Sequence, residues 1–321
     1  MKLYKDILVT AWQKTIHQPS LWIFGLFAAF IFGNAGELDR YLRFMNGIVS
    51  EGSVINPRFW LDHRWAQFVA SASEKIITGD MTVILLMVGL AATFIWILIM
   101  MSISAGALIK AATLPNVRFV DAFAAGAKHW VALLVLFASG YGVVILTTVI
   151  IGGLISKLNV SAETVQQTFI LVGSILFVPL VIVISFLIRF TAQGIVLKNL
   201  HIWPAVCNAA KMLKQAWLVT LEMAIVNFSV VFIINLFLLV AVGLLFAPQF
   251  ATALGLETAT SLDRFYSVVV VSGLVYAVLV VFVGAILSTW QWIAWTLLFE
   301  RLQTEQPAST LLRWLHYRRS K

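Results

Sequence analysis

Five stretches of this chain are long enough to cross a lipid bilayer and contain no Asp, Glu, Lys or Arg. They are Met81–Ile109, His129–Ser156, Thr164–Ile188, Met223–Leu256 and Phe265–Phe299. A transmembrane helix needs about 20 apolar residues, because each residue adds only about 1.5 Å along the axis. A soluble core cannot cover this many apolar stretches, so we predict an all-α integral membrane protein.

The composition agrees with this class and narrows the function. Charged residues make up 11% of the chain, against about 25% in soluble domains. The net charge of +8 could indicate a nucleic-acid partner. The basic residues lie at the ends of the apolar stretches, however, which favours anionic lipid head groups instead. No nucleophile, metal-ligand or nucleotide motif occurs, so we expect no enzyme, cofactor or metal, and no nucleic acid.

A sixth, shorter apolar stretch, Leu21–Gly33, follows an amphipathic segment at Leu3–Ile16. Gly33-Asn34-Ala35 resembles a signal-peptide cleavage site, which makes a cleaved signal peptide the alternative to a retained anchor. The amphipathic segment is long for the charged start of a signal peptide. We therefore favour a retained first crossing, and six crossings in total.

Two segments between crossings have nearly the same layout. Gly106–Trp130 and Gly194–Trp217 each begin with a glycine, carry a lysine four residues later at Lys110 or Lys198, and end in a tryptophan. Apolar residues recur at helical spacing in both segments and in the N-terminal segment. These residues are Phe119, Phe123, Ala127 and Trp130, then Val206, Ala210, Leu213 and Trp217, and finally Leu3, Ile7 and Ala11. The pattern predicts amphipathic helices lying in the membrane interface.

The predicted organisation is therefore one membrane domain over residues 1–321, with six transmembrane helices arranged as three helix-hairpin repeats. The repeats cover about residues 1–112, 113–200 and 201–302, each begins with a cytoplasmic interfacial helix, and a basic amphipathic tail follows at 303–321. The excess of Lys and Arg on one side predicts that both termini are cytoplasmic in a bacterial inner membrane. The long outer loop at 34–80 either packs on the outer surface or acts as a lid or docking site.

Ionisable and amide side chains inside the crossings form one candidate site. Each of them costs free energy in lipid unless it is paired or hydrated, so its presence there indicates a structural or functional role. The candidate polar cluster is Arg189, Gln193, Glu222, Asn227 and Gln291. Arg189 and Glu222 belong to consecutive antiparallel crossings at similar depth and could pair. Either the cluster holds the helices together, or it lines a binding or conducting site entered from the cytoplasm.

The basic inner face supplies the other candidate contacts. We expect Lys128, Lys211, Lys214, Arg318 and Arg319 to contact anionic lipid head groups on the cytoplasmic side. The leading hypothesis is a non-enzymatic membrane module that organises lipid or a membrane partner, which could be another protein or a second copy of the chain. The alternative is a transporter or channel subunit for a small solute or lipid.

Residues 189–217, with the pattern RF-x-x-Q-G-I-V-L followed by A-x-x-x-A-x-x-M-L-K-Q-A-W, resemble a loose group of bacterial polytopic membrane proteins. The group includes the UPF0259 type and the membrane domain attached to some glycerophosphodiester phosphodiesterases. The resemblance implies repeated units of crossing, interfacial helix and crossing, and it assigns no activity. No phosphodiesterase motif occurs in this sequence, and no site residue is carried over.

Overall fold

The computed structural model describes residues 2–29, 81–157, 163–254 and 260–304. This part of the chain is 95% helix and contains no strands. The helices are α1 (Lys2–His17), α2 (Trp22–Ala28), α3 (Met81–Thr113), α4 (Phe119–Lys128), α5 (Trp130–Lys157), α6 (Glu163–Lys198), α7 (Ile202–Leu254) and α8 (Thr260–Thr304). A 3₁₀ turn at Pro19–Leu21 joins α1 to α2.

Five of these helices are long and apolar enough to cross a membrane, and the protein is a multi-pass membrane protein. The five candidate spans are Ile84–Thr113, Trp130–Thr147, Pro179–Lys198, Ile202–Ala247 and Ser267–Thr304. The predicted first crossing, Leu21–Gly33, is described only in part, within the short apolar helix Pro19–Ala28, and stays a prediction. The loop at 34–80, Arg318 and Arg319 lie outside the described residues, so the predictions made for them also stay open.

Two of the predicted short amphipathic segments are followed directly by a long apolar helix. α4 precedes α5, and Trp130 is the first residue of α5. α7 contains a break at Ala216 (φ −122°, ψ 26°), which separates residues 202–215 from the long apolar helix that begins at Trp217. We call residues 202–215 the α7 leader. Both tryptophans therefore stand at the start of a long apolar helix, as the sequence predicts.

The chain divides into two compact units, and each is described by itself. In the described residues, the first unit contains α1, α2, the end of α3 from Ala107, α4 up to Ala124, α7 from Met212 and α8. The second contains the remainder of α3, α4 and α7, together with α5 and α6. In the first unit α1 and α2 both pack on α8, and in the second α5 packs on α6. These boundaries differ from those of the predicted repeats, which stay a prediction.

Helix α2 lies very close to α8 in the first unit. A Cβ added to Gly25 would be 2.1 Å from both the carbonyl oxygen of Ala285 and the hydroxyl oxygen of Thr289. The Thr289 Oγ1 atom also lies 3.3 Å from the carbonyl oxygen of Leu21. Between apolar helices in lipid, close packing and interhelical hydrogen bonds replace the hydrophobic driving force. Gly25 is therefore the residue that allows this helix pair to form.

Candidate functional site

The two glycines that open the similar segments have a common structural role. A Cβ added to Gly106 on α3 would be 2.8 Å from the Cα atom of Gly126 on α4. A Cβ added to Gly194 on α6 would be 3.5 Å from the Cβ atom of Ala205 in the α7 leader. At both positions a small residue of the following amphipathic helix lies nearest; the distance at Gly106 requires a glycine, whereas 3.5 Å at Gly194 is an ordinary van der Waals contact. The short helices are held against the ends of the preceding long helices by small residues, which permit close backbone approach.

Lysines of the short helices bind the ends of the long ones. The Lys14 ammonium on α1 donates to the carbonyl oxygen of Ala112 near the end of α3. The Lys128 Nζ atom on α4 lies 3.2 Å from Asn199 Oδ1, just beyond the end of α6. Asn199 is left-handed (φ 51°), a conformation that commonly terminates helices. A cation near the carbonyl end of a helix is favoured by the helix dipole.

The surroundings of Lys14 and His129 lower the pKa of each side chain. Burial lowers the pKa of Lys14, and the nearby Glu300 carboxylate opposes that change. Burial, followed by the Lys128 charge, lowers the pKa of His129, while the Asn199 side chain raises it. Both shifts disfavour the charged form, mainly because a partly buried cation loses hydration. The shift on His129 leaves it more neutral than an exposed histidine at neutral pH.

The α7 leader has one face against the protein and another exposed face that combines aromatic and basic residues. Ala205, Ala209 and Met212 are buried. Trp203 and Trp217 are 75% and 58% exposed, and Lys211 and Lys214 are exposed. Tryptophan and lysine together are typical of a surface at the level of the lipid head groups.

In α4 and the α7 leader the buried faces lie one residue earlier than the predicted apolar stripes, whereas in α1 the predicted Ile7 and Ala11 are buried. In the α7 leader the predicted Val206 and Leu213 are half-buried, and Ala210 and Trp217 are exposed. In α4 the buried residues are Ala122 and Gly126. The large apolar side chains of the predicted stripes therefore lie beside the protein contact or away from it. Mostly small residues make the contact itself.

The five predicted polar residues are distributed over both units. Arg189 and Gln193 lie on α6 in the second unit, at 5% and 0% exposure. Glu222 and Asn227 lie on α7, and Gln291 on α8, all in the first unit. Asn227 and Gln291 are buried, whereas Glu222 is half-buried. Their convergence on one site, including the Arg189–Glu222 pair, stays a prediction.

Sequence reasoning missed a partner of Glu222. The hydroxyl of Tyr4 on α1 donates to Glu222 Oε2. Tyr4 is itself buried, so the amphipathic N-terminal helix reaches a carboxylate in the first turns of the long apolar part of α7. Hydrogen bonds to a charged acceptor are stronger than those between neutral groups. This bond ties α1 to α7.

Two of the predicted amides have no hydrogen-bond partner among the residues that the structure describes. Both polar atoms of Gln193, and both of Asn227, are buried without one. A buried polar group left unsatisfied costs about 1–3 kcal/mol, so such groups normally bind ordered water or another polar molecule. Each of these two amides is therefore a position where a water or another polar group would be stabilised, Gln193 in the second unit and Asn227 in the first.

A polar groove of about 490 Å³ opens between α1 and the end of α8 in the first unit. Asp6 and Thr10 line it from α1, and Glu300, Arg301 and Thr304 line it from α8. It contains no group of three or more His, Cys, Asp or Glu that could hold a metal, and neither does the rest of the described chain.

Comparison with known proteins identifies no relative: no family model, no curated protein and no solved structure matches this chain. The resemblance at residues 189–217 accordingly stays an expectation.

Proposed function

We propose that the protein is a non-enzymatic membrane module that binds anionic phospholipids on the cytoplasmic side through its short amphipathic helices. The observation that carries this proposal is the exposed face of the α7 leader, where Lys211 and Lys214 accompany the exposed Trp203, with the exposed Trp217 just beyond the break at Ala216. Each lysine near an anionic surface contributes about 1 kcal/mol of attraction. Indole rings favour the same depth in the membrane.

The paired contacts of the short helices support the three-repeat organisation with cytoplasmic termini as part of this proposal. Lys14 binds the end of α3, and Lys128 binds the end of α6. Within each of the first two proposed repeats, the opening short helix thus reaches the end of the closing long helix. The proposal assigns both contacts to the cytoplasmic ends of the long helices, where the positive-inside rule expects basic residues.

Neutralising two lysines tests the lipid contact. We expect Lys211→Gln with Lys214→Gln to lower the preference for phosphatidylglycerol over phosphatidylcholine by about tenfold or more, because two attractions of about 1 kcal/mol are lost. The measurement is quenching of protein tryptophan fluorescence by each brominated lipid in mixed micelles. Raising the salt concentration should lower the preference of the unaltered protein for phosphatidylglycerol, because salt screens the lysine charges. The same change in salt should have little effect on the variant.

Arg118→Gln is the matched control. Arg118 is 85% exposed, but its guanidinium already contacts Asp121 at 2.9 Å, which raises the pKa of Arg118 through the hydrogen bond and the charge. Removing it should leave the lipid preference nearly unchanged. Equal lipid preference in the lysine variant and the unaltered protein would contradict the proposed lipid contact.

A transporter or channel subunit is the second candidate, and the unpartnered amides of Gln193 and Asn227 favour it. A polar interior in a membrane protein is the usual location of a solute path. Proton flux into proteoliposomes containing a pH-sensitive dye provides a first test. Slower flux in Glu222→Gln, with an unchanged melting temperature, would support this candidate, and equal flux would remove Glu222 from any proton path.

A further inference from the structure

Helix α1 has three distinct faces. Tyr4, Ile7, Ala11 and Thr15 are buried and form one side. Asp6, Gln13 and His17 are exposed and form a polar side. Val9, Trp12 and Ile16 are large apolar residues at 44%, 44% and 43% exposure, and they form the third side. At 100° per residue this third side spans a sector of about 60°, and the exposed Lys5 falls within it.

Four hydrogen bonds fix the rotation of α1 about its axis. Tyr4 donates to Glu222 on α7, and Lys14 donates to the carbonyl oxygen of Ala112 on α3. Trp290 Nε1 on α8 lies 3.2 Å from the carbonyl oxygen of Leu8, and Trp22 Nε1 lies 2.9 Å from that of Thr15. The helix therefore cannot roll to bury its apolar side against the protein.

We propose that the side formed by Lys5, Val9, Trp12 and Ile16 is inserted among the phospholipids of the adjacent leaflet, with the three apolar side chains at the head-group and acyl-chain boundary and the Lys5 ammonium on a lipid phosphate. This surface, called the α1 lipid face, rests on the proposed function and identifies a contact that is separate from the α7 leader. Helix α1 itself and α2, which the 3₁₀ turn joins to it, both pack on α8, one of the candidate membrane spans. The α1 lipid face is thereby held at the membrane surface.

The chemistry of the face favours lipid over a soluble partner. A contiguous apolar strip beside a polar strip on one helix is typical of helices lying in the interface plane, where the apolar side enters the membrane by about 5–10 Å. A lysine within the apolar side extends its ammonium toward the phosphates while its methylenes stay in the apolar layer. Phospholipid provides both environments at one place.

The test is spin-label accessibility along α1 in the full chain. A Cys207→Ser background receives one cysteine at Val9, Trp12 or Ile16, or, as controls, at Gln13 or His17. In liposomes of phosphatidylglycerol and phosphatidylcholine, labels at the first three positions should collide preferentially with oxygen, which concentrates in lipid. Labels at Gln13 and His17 should collide preferentially with a water-soluble nickel chelate. All of these side chains are at least partly exposed, and the unlabelled melting temperature of each variant verifies folding.

Nickel access at all five positions would overturn the α1 lipid face, as would low access to both reagents at Val9, Trp12 and Ile16, which would indicate a protein covering. Tyr4→Phe should reduce the contrast between the two sets, because α1 loses one of the bonds that fix its rotation.

The Lys211 and Lys214 variant separates the two proposals. Lost lipid preference with an unchanged contrast along α1 supports both proposals. Lost preference with nickel access at Trp12 overturns the α1 lipid face alone, and retained preference with an unchanged contrast overturns the α7 leader contact alone.

Discussion

Replacing Gly25 with valine is expected to prevent the protein from reaching a stable folded state. The Cβ atom alone would lie 2.1 Å from the carbonyl oxygen of Ala285 and from the hydroxyl of Thr289, so the two helices must separate. Overpacking costs about 1–3 kcal/mol when flexible side chains can adjust, and more when backbone atoms must move. Native stability is about 5–15 kcal/mol. We expect little monodisperse protein by size-exclusion chromatography in detergent, and a melting temperature lower by about 10 °C or more for any that folds.

Gly284→Val controls for the effect of a branched residue in the same helix pair. Gly284 directly precedes Ala285 on α8, but a Cβ there would meet no atom within 4 Å. The expected effect is a few tenths of a kcal/mol from helix propensity. Similar yields of the Gly25 and Gly284 variants would show that α2 does not pack on α8 as described.

The second large effect is expected at Gly106, where α4 rests on α3. Leucine at this position would displace the backbone of Gly126, because a Cβ already lies 2.8 Å from the Gly126 Cα atom and 3.2 Å from a methyl group of Leu133. We expect a loss of about 2–3 kcal/mol, read as a melting temperature lower by about 5–10 °C. Gly89→Leu on the same helix is the control, since no atom lies within 4 Å of that position. A smaller drop for Gly106 than for Gly89 would contradict the packing of α4.

The sequence predicted the long helices well, because their apolar length is determined by the thickness of the bilayer rather than by tertiary contacts. It also predicted that Trp130 and Trp217 stand where long helices begin. Five crossings match long apolar helices of the described residues, and the predicted crossing at Leu21–Gly33 extends beyond those residues and stays a prediction. Below about 18 residues, apolar length alone does not distinguish a crossing from a helix packed within the protein.

The faces of the short helices were harder to predict for a physical reason. In water, the apolar side of a helix faces the protein, but at a membrane surface both protein and lipid accept apolar residues. The large residues Phe119, Val206 and Trp217 therefore indicated an apolar side without indicating what it contacts. Small residues such as Ala122 and Gly126, which make the buried contacts, produce only a weak hydrophobic signal.

The Tyr4–Glu222 hydrogen bond could not have been predicted, because a contact between residues separated by 218 positions leaves no spacing pattern. The predicted intramembrane polar residues were easier to select individually, since any amide or charge inside an apolar run is unusual. Four of the five, Glu222 excepted, are buried. Whether they share one site depends on distances between helices, which sequence does not encode.

The single native cysteine tests the account most directly. Cys207 is exposed in the α7 leader, within the basic and aromatic surface to which we assign cytoplasmic lipid contacts. A membrane-impermeant maleimide should label Cys207 in inverted bacterial membrane vesicles and leave it unlabelled in intact spheroplasts, with Cys207→Ser as the blank. Labelling in spheroplasts but not in inverted vesicles would turn the basic surface outward and contradict the proposed function.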